Sequence, residues 1–159
     1  EICNLIGCNV SEFENKEVFN ELPLECGITG KNFGLKGIID NIVVNHDEQI
    51  IYINDIKTTS KDLKDFPESV EYYNYWLQAA IYCTIITIKF INLIDRGYQI
   101  KFHFVVIDKN YQAYAFPVLQ STLDDWFVKL QDVLQKASWH YDNARFDLPY
   151  EFALGKITL

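Results

Sequence analysis

Hydrophobic and polar positions alternate through the first third of the chain, and then the alternation stops. Val18–Cys26, Phe33–Val44 and Gln49–Lys57 each carry the period of two expected of a strand. The turns between them are short: Gly27–Gly30 supplies one, and the tetrapeptide Asn45–Glu48 has hairpin-turn chemistry. These three runs predict an antiparallel meander. From Glu68 to about Asn92 there is no Gly or Pro and apolar or aromatic residues run throughout, which predicts one long, largely buried helix. The β-branched run Thr84–Ile88 weakens its second half. Gln99–Asp108 and Gln112–Val118 read as a second hairpin. Ser121–Ala137 reads as an amphipathic helix with Leu123, Trp126, Phe127, Leu130, Val133 and Leu134 in one stripe. Residues 1–16 read as the remnant of a helix followed by an acidic loop (Ser11, Glu12, Glu14), and the aromatic tail from Phe146 is expected to pack down. Strands, long helix, strands and helix together predict a mixed sheet flanked by helices, α+β or α/β.

Composition adds bounds. The chain has 159 residues, 49% of them hydrophobic and 15% aromatic, enough for one core, so a single domain over 1–159 is expected. It begins at Glu1 and contains no Met, which suggests that an upstream N-terminal segment is missing. A net charge of −8 argues against general electrostatic coating of nucleic acid, although carboxylates that hold a divalent metal also make a chain acidic. Cys3, Cys8, Cys26 and Cys83 are scattered, with no Cys-x-x-Cys pair, and read as buried free thiols of a reducing compartment. No uninterrupted apolar stretch is long enough for a membrane span, and the first residues lack the basic start of a signal peptide. A cytoplasmic protein is expected.

Chemistry gathers at the strand ends. Asp55 and Lys57 are two apart on one strand and so share a face. That pair alone favours a solvated ion pair at a strand end over half of an active site, since such pairs are common there. Asp40 ends the apolar run of the preceding strand, where a buried acid without a partner costs several kcal/mol. In a hairpin turning near Asn45–Glu48, Asp40 and Asp55 become near-opposite neighbours. Two carboxylates so placed repel unless a cation lies between them. A hard cation such as Mg²⁺ takes such oxygens, and the Ile56 carbonyl offers another. Tyr75, Gln78 and Tyr82 are spaced +3 and +4 on the helix, so an amide and two phenols share one face. They would suit contact with a phosphate or nucleotide, although taken alone they read first as interfacial aromatics with a satisfied amide.

These residues resemble the PD-(D/E)xK nuclease superfamily, in particular its RecB/RecE-like exonuclease branch, which includes phage-type recombination exonucleases. The likeness lies in Gly37-Ile38-Ile39-Asp40, then Asp55-Ile56-Lys57-Thr58 after a hairpin, then Gln78-Ala79-Ala80-Ile81-Tyr82 on a helix, in order, over roughly residues 17–140. The resemblance implies a restriction-endonuclease-like core and a Mg²⁺-dependent DNA exonuclease of recombination or repair, with Mn²⁺ able to substitute. It implies Asp40 and Asp55 as metal ligands with the Ile56 carbonyl, Lys57 as the catalytic lysine, and Gln78 and Tyr82 as helix-borne site residues. An acid on the first strand often joins the site in this branch, and Glu21 and Glu25 are the candidates, Glu21 being better spaced. Thr58, Lys61, Lys64 and Tyr75 are the expected nucleic-acid contacts, with the loop that carries Lys61 and Lys64 reading equally as a solvated one. The resemblance further implies a homo-oligomeric ring, a single-strand-annealing recombinase partner and a bacterial or phage-infected host.

Some members use a histidine or glutamate on an N-terminal helix, and none of His46, His103 and His140 is placed for that. No cysteine follows Cys83, so no iron–sulfur cluster is expected. Packing suffices for His140 and helix-dipole complementarity for Asp124 and Asp125; Tyr72, Tyr73 and Trp76 are expected in the core, although a single-strand channel could use one of them for base stacking. The rivals are an endonuclease of the same fold, an inactive nuclease-fold binding module, and an unrelated α+β protein with a structural ion pair.

Overall fold

In the computed structural model, which describes residues 15–157, the three alternating runs are strands: β1 (Lys16–Gly27), β2 (Gly34–Asn45) and β3 (Ile50–Thr58). The reading of Ser11, Glu12 and Glu14 as an acidic loop falls outside the described residues. Both β1–β2 and β2–β3 pair antiparallel, as a meander should. Next come a helical stretch and the hairpin of β4 (Gln99–Ile107) and β5 (Ala113–Pro117). The sheet runs in sequence order, and only β3 and β4 are parallel. A parallel pair needs a crossover, and the helices between β3 and β4 provide it. This is the expected mixed sheet with helices.

The single long helix is not observed. The segment divides into α1 (Phe66–Tyr72), α2 (Tyr75–Lys89) and α3 (Ile91–Ile94). Its first break lies at Asn74, whose φ is +55°, and Asn is among the few residues that enter this left-handed region readily. The Tyr73 N–H closes on Ser69 O at 3.0 Å and the Asn74 N–H on Glu71 O at 3.2 Å, so two carbonyls of the last turn of the first helix are satisfied. Pattern alone could not locate this break because Asn is also tolerated inside helices. The α2 helix buries Ala79, Ala80, Tyr82, Ile85 and Ile86 against the sheet. Its two alanines allow close approach.

The last long helix, α4 (Gln120–Asn143), outruns its expected end and buries Leu123, Trp126, Leu130, Leu134 and Ser138. Phe127, expected in that stripe, is 47% exposed, and Val133 is only half-buried. In the tail, Tyr150 of the short α5 (Tyr150–Ala153) meets Trp139 and His140 edge-on, but Phe146 and Phe152 are 66% and 56% exposed, so the tail packs down only in part. His140 also stacks on Phe146, in keeping with a packing role.

One irregularity crosses two strands. Core-packed residues are Phe19 and then Leu22 and Leu24 on β1, and Val44 and Ile42 and then Ile39 and Leu35 on β2. The period of two slips by one residue in both strands at the same row. Asn20 pairs Asn41 and Leu22 pairs Ile39, but Glu21 and Asp40 between them are unpaired. Glu21 has a φ of +47°. Turning the pleat there brings apolar residues of both halves to the core, since a shift of one residue exchanges the faces of a strand.

Beside this row runs a polar one. Asn20, Asn41, Asn54 and His103 are successive register partners across β1 to β4. His103 Nδ1 lies 3.1 Å from Asn54 Oδ1, Asn54 Nδ2 donates to Asn41 Oδ1 at 2.7 Å, and Asn41 Nδ2 donates to Asn20 Oδ1 at 2.8 Å. With Asn54 Oδ1 as acceptor, Nδ1 of His103 carries the proton. Burial, and then the neighbouring Lys101 charge, lower the His103 pKa from 6.5. A folded-state pKa below the unfolded one means that this group favours folding above about pH 6.5, an advantage lost as pH falls through that value toward the folded-state pKa. Thermal unfolding of wild type and His103→Gln at about pH 7 and pH 5 tests this: wild type should lose more stability on acidification, and parallel losses would refute the ladder's pH sensitivity.

Candidate active site

Pairing of β2 with β3 ends at Asn41–Asn54, so the next residues outward, Asp40 and Asp55, stand where the strands part. With no ladder partner there, the Ile56 N–H donates to Asp40 Oδ2 at 2.7 Å. The N–H and C=O of one strand residue face the same side, which turns the Ile56 carbonyl toward the same opening. Asp55 pairs with Phe104 of β4 on its other side and is 1% exposed.

Asp55 Oδ2 forms an ion pair with Lys57 Nζ but accepts no well-directed hydrogen bond. Among the described residues it is the sole buried side-chain polar atom without one. The same ammonium, which carries three donors, also donates to Gln78 Oε1 at 2.9 Å. Burial raises the Asp55 pKa, Lys57 counters it, and the Asp40 charge adds to the rise. Asp55 is therefore a carboxylate held in a place that disfavours its charge and leaves one oxygen undirected. Added positive charge would relieve both conditions.

The helix face expected from the sequence is assembled. Gln78 accepts from Lys57, its Nε2 donates to the Tyr82 hydroxyl at 2.8 Å, and that hydroxyl donates to the Ile38 carbonyl at 2.7 Å. This relay sets the amide's orientation, because its oxygen must face the ammonium. The Lys57 Nζ also lies 4.8 Å from the Tyr75 ring centroid, within cation–π range. Asp40, Asp55, Ile56, Lys57, Gln78, Tyr82 and Tyr75 thus form one connected set.

The other expected residues are less involved. Glu21 lies in the same row as Asp40 and Asp55, but no group of three or more His, Cys, Asp or Glu gathers closely enough to hold a metal among the described residues. Glu25 pairs with Lys36, four residues farther along β1, a step of about 13 Å at ~3.3 Å per residue. Thr58, Lys61 and Lys64 continue outward from Lys57 and are exposed, with Lys64 Nζ 3.8 Å from Asp62.

Two features escaped the sequence reading. Asn20-Glu21, Asp40-Asn41 and Asn54-Asp55 each set an amide beside an acid, with the order mirrored from strand to strand. That mirroring marks two adjacent rows, one polar and one acidic, across the meander. The second is the reason for Gly37. A Cβ there would lie 2.6 Å from Tyr82 Cε1, so the glycine of the first motif makes room for the tyrosine of the third.

The donor set here is two carboxylates and a carbonyl, all hard oxygens, with an undirected buried oxygen among them. It fits Mg²⁺ or Mn²⁺, which commonly take one or two carboxylates and complete their shell with waters and phosphate oxygens.

A family model described as a PDDEXK-like domain of unknown function (DUF3799) matches residues 23–145, which include every residue of the connected set. A solved structure, a "putative exonuclease" from Eubacterium rectale, superposes with a TM-score of 0.53 at 14% identity, covering 90% of this chain. This chain spans about half (52%) of that protein. A second structure, SSO0001, covers 73% of this chain and 50% of its own at 16% identity and a TM-score of 0.39, too low to bear on the fold. No curated protein matches the chain.

The Gly37–Tyr82 contact has a measurable consequence. Gly37→Ala should cost about 1–3 kcal/mol in urea unfolding, as overpacking does, and much less when Tyr82 is also alanine. Equal costs in both backgrounds would show that the contact does not set the glycine.

Proposed function

Because the chain belongs to the family of PDDEXK-like domains, we propose that it is a divalent-metal-dependent deoxyribonuclease, acting as an exonuclease in recombination or repair. The observation that carries this reading is the buried, undirected Asp55 oxygen next to Asp40, with Lys57 aligned by Gln78 and Tyr82. A structural ion pair would account for Asp55 and Lys57 but not for an opposing carboxylate or a relay that aims the lysine.

Asp40 and Asp55, with the Ile56 carbonyl, would hold the cation. When bound, it supplies Lewis acidity that lowers the pKa of a water and offsets the charge of the scissile phosphate. Lys57 presents a fixed positive charge to the oxygens where negative charge grows during in-line attack. Gln78 limits the directions its ammonium can take, and Tyr82 limits Gln78 in turn. Tyr75 screens one side of the ammonium from water. Thr58, Lys61 and Lys64 are the contacts for the DNA backbone beyond the site, and such local cations reconcile DNA binding with a net charge of −8. The exonuclease assignment draws support from the Eubacterium rectale protein's description. In the same reading the protein works as a ring beside a single-strand-annealing recombinase.

Linear and circular DNA incubated with Mg²⁺ or Mn²⁺ test the reaction. Linear DNA should be degraded and circles spared, while Asp55→Asn, Asp40→Asn and Lys57→Ala should each lose activity by a factor of at least ~10². Circles cut as fast as linear DNA would replace the exonuclease with an endonuclease, and activity surviving all three substitutions would refute the site. Metal binding is tested separately by thermal shift. Saturating Mn²⁺ should stabilise wild type by about 2.7 kcal/mol at a hundredfold excess over Kd and leave Asp55→Asn unmoved. An equal shift in both would place the cation elsewhere.

A further inference from the structure

Tyr72 and Tyr73, expected in the core, are 79% and 56% exposed at the break between α1 and α2. Isolated exposed tyrosines need no explanation. These two form a chain of rings: Tyr72 meets Tyr73 edge-on at 4.8 Å, and Tyr73 stacks on Tyr75 at 5.5 Å and 29°. Tyr75 in turn lies under the Lys57 ammonium. The path therefore leads from solvent to the group aimed at the phosphate.

The break that presents these rings is built rather than frayed. Asn74 takes a left-handed φ, its side-chain oxygen accepts from Trp76 Nε1 at 3.2 Å, and its carbonyl accepts from the Leu77 N–H at 3.0 Å. Glu71 is 3.5 Å from Lys129, whose ammonium also lies over Trp76 at 5.2 Å, so that acid is neutralised, while Glu68 one turn before Tyr72 remains exposed.

We propose that Tyr72 and Tyr73 form a stacking platform for an unpaired nucleobase next to the scissile phosphate, so that the site takes single-stranded or frayed DNA ends. This deepens the nuclease reading and rests on it. A strand whose phosphate reaches Lys57 brings the neighbouring base to the ring chain, and a base in a duplex has no free face to offer. Stacking on an aromatic ring is tolerant of sequence because every base has a π-face.

The test is binding of a fluorescent single-stranded oligonucleotide in EDTA, where no hydrolysis occurs, by the full chain as wild type, Tyr73→Ala, Tyr72→Ala and Tyr73→Trp. Both side chains are exposed, so the substitutions should leave folding intact, which thermal unfolding checks. Tyr73→Ala should weaken binding by about 5- to 150-fold, equivalent to ~1–3 kcal/mol for one stacked base, with Tyr72→Ala weaker in effect and Tyr73→Trp restoring affinity. An oligonucleotide of abasic sites should bind wild type and Tyr73→Ala alike. Unchanged affinity in the alanine variants, an equal loss on the abasic strand, or no single-strand binding by wild type would each overturn the platform. The expected binding losses with no hydrolysis of any DNA on adding Mg²⁺ or Mn²⁺ would support the platform while overturning the nuclease reading.

Discussion

The hydrogen bond from the Ile56 N–H to Asp40 ties the two strands of the candidate site together where their ladder ends. Two antiparallel strands that part leave backbone groups without strand partners. Here a side-chain carboxylate takes the place of the missing strand. That substitution lets β2 and β3 separate while keeping Asp40 fixed against the strand that carries Asp55 and Lys57. The opening it creates lets two carboxylates, a carbonyl and an ammonium gather at one place from two neighbouring strands.

Everything around the opening limits how far it can relax. Behind it, Asn20, Asn41, Asn54 and His103 join four strands by side-chain hydrogen bonds in the row next to the acidic one. Above it, Tyr82 reaches from α2 to the Ile38 carbonyl on β2, and Gly37 is bare to admit its ring. The helix is thereby tied to the same strand that carries Asp40, two residues from it. Gln78, one turn earlier, inherits a fixed height above Lys57. Positions far apart in the chain are thus set by one contact between a glycine and a phenol.

Burial of Asp55 works against the stability of the folded chain, since it raises the pKa of a group that is ionised at neutral pH. Lys57 offsets part of this through its ion pair while also donating to Gln78. A protein selected for stability alone would favour an amide or an apolar residue at position 55. Position 55 instead holds an acid whose only charged partner among the described residues is Lys57, next to a core packed with Ile39, Ile53 and Phe104, and the proposed metal chemistry would account for its retention.

Much of this was legible from the chain alone. Period-two alternation and turn residues specified the meander, because side chains on a half-buried strand must alternate between core and solvent. The spacing of Asp40 and Asp55 about a short turn brought the acids opposite each other, and helical periodicity put Gln78 and Tyr82 on one face. These are local rules, and local rules survive folding. What only the tertiary structure decided depends on distant partners. The long apolar segment broke at Asn74 because packing of α1 and α2 overrode a pattern that permits a continuous helix, and this turned Tyr72 and Tyr73 out of the core. The pleat slipped at Glu21 and Asp40 because apolar residues in both halves of two strands had to reach one core. Gly37 gained its purpose from Tyr82, 45 positions later. A sequence states which residues are able to meet, but the exclusion of one atom by another is settled only when the chain closes on itself.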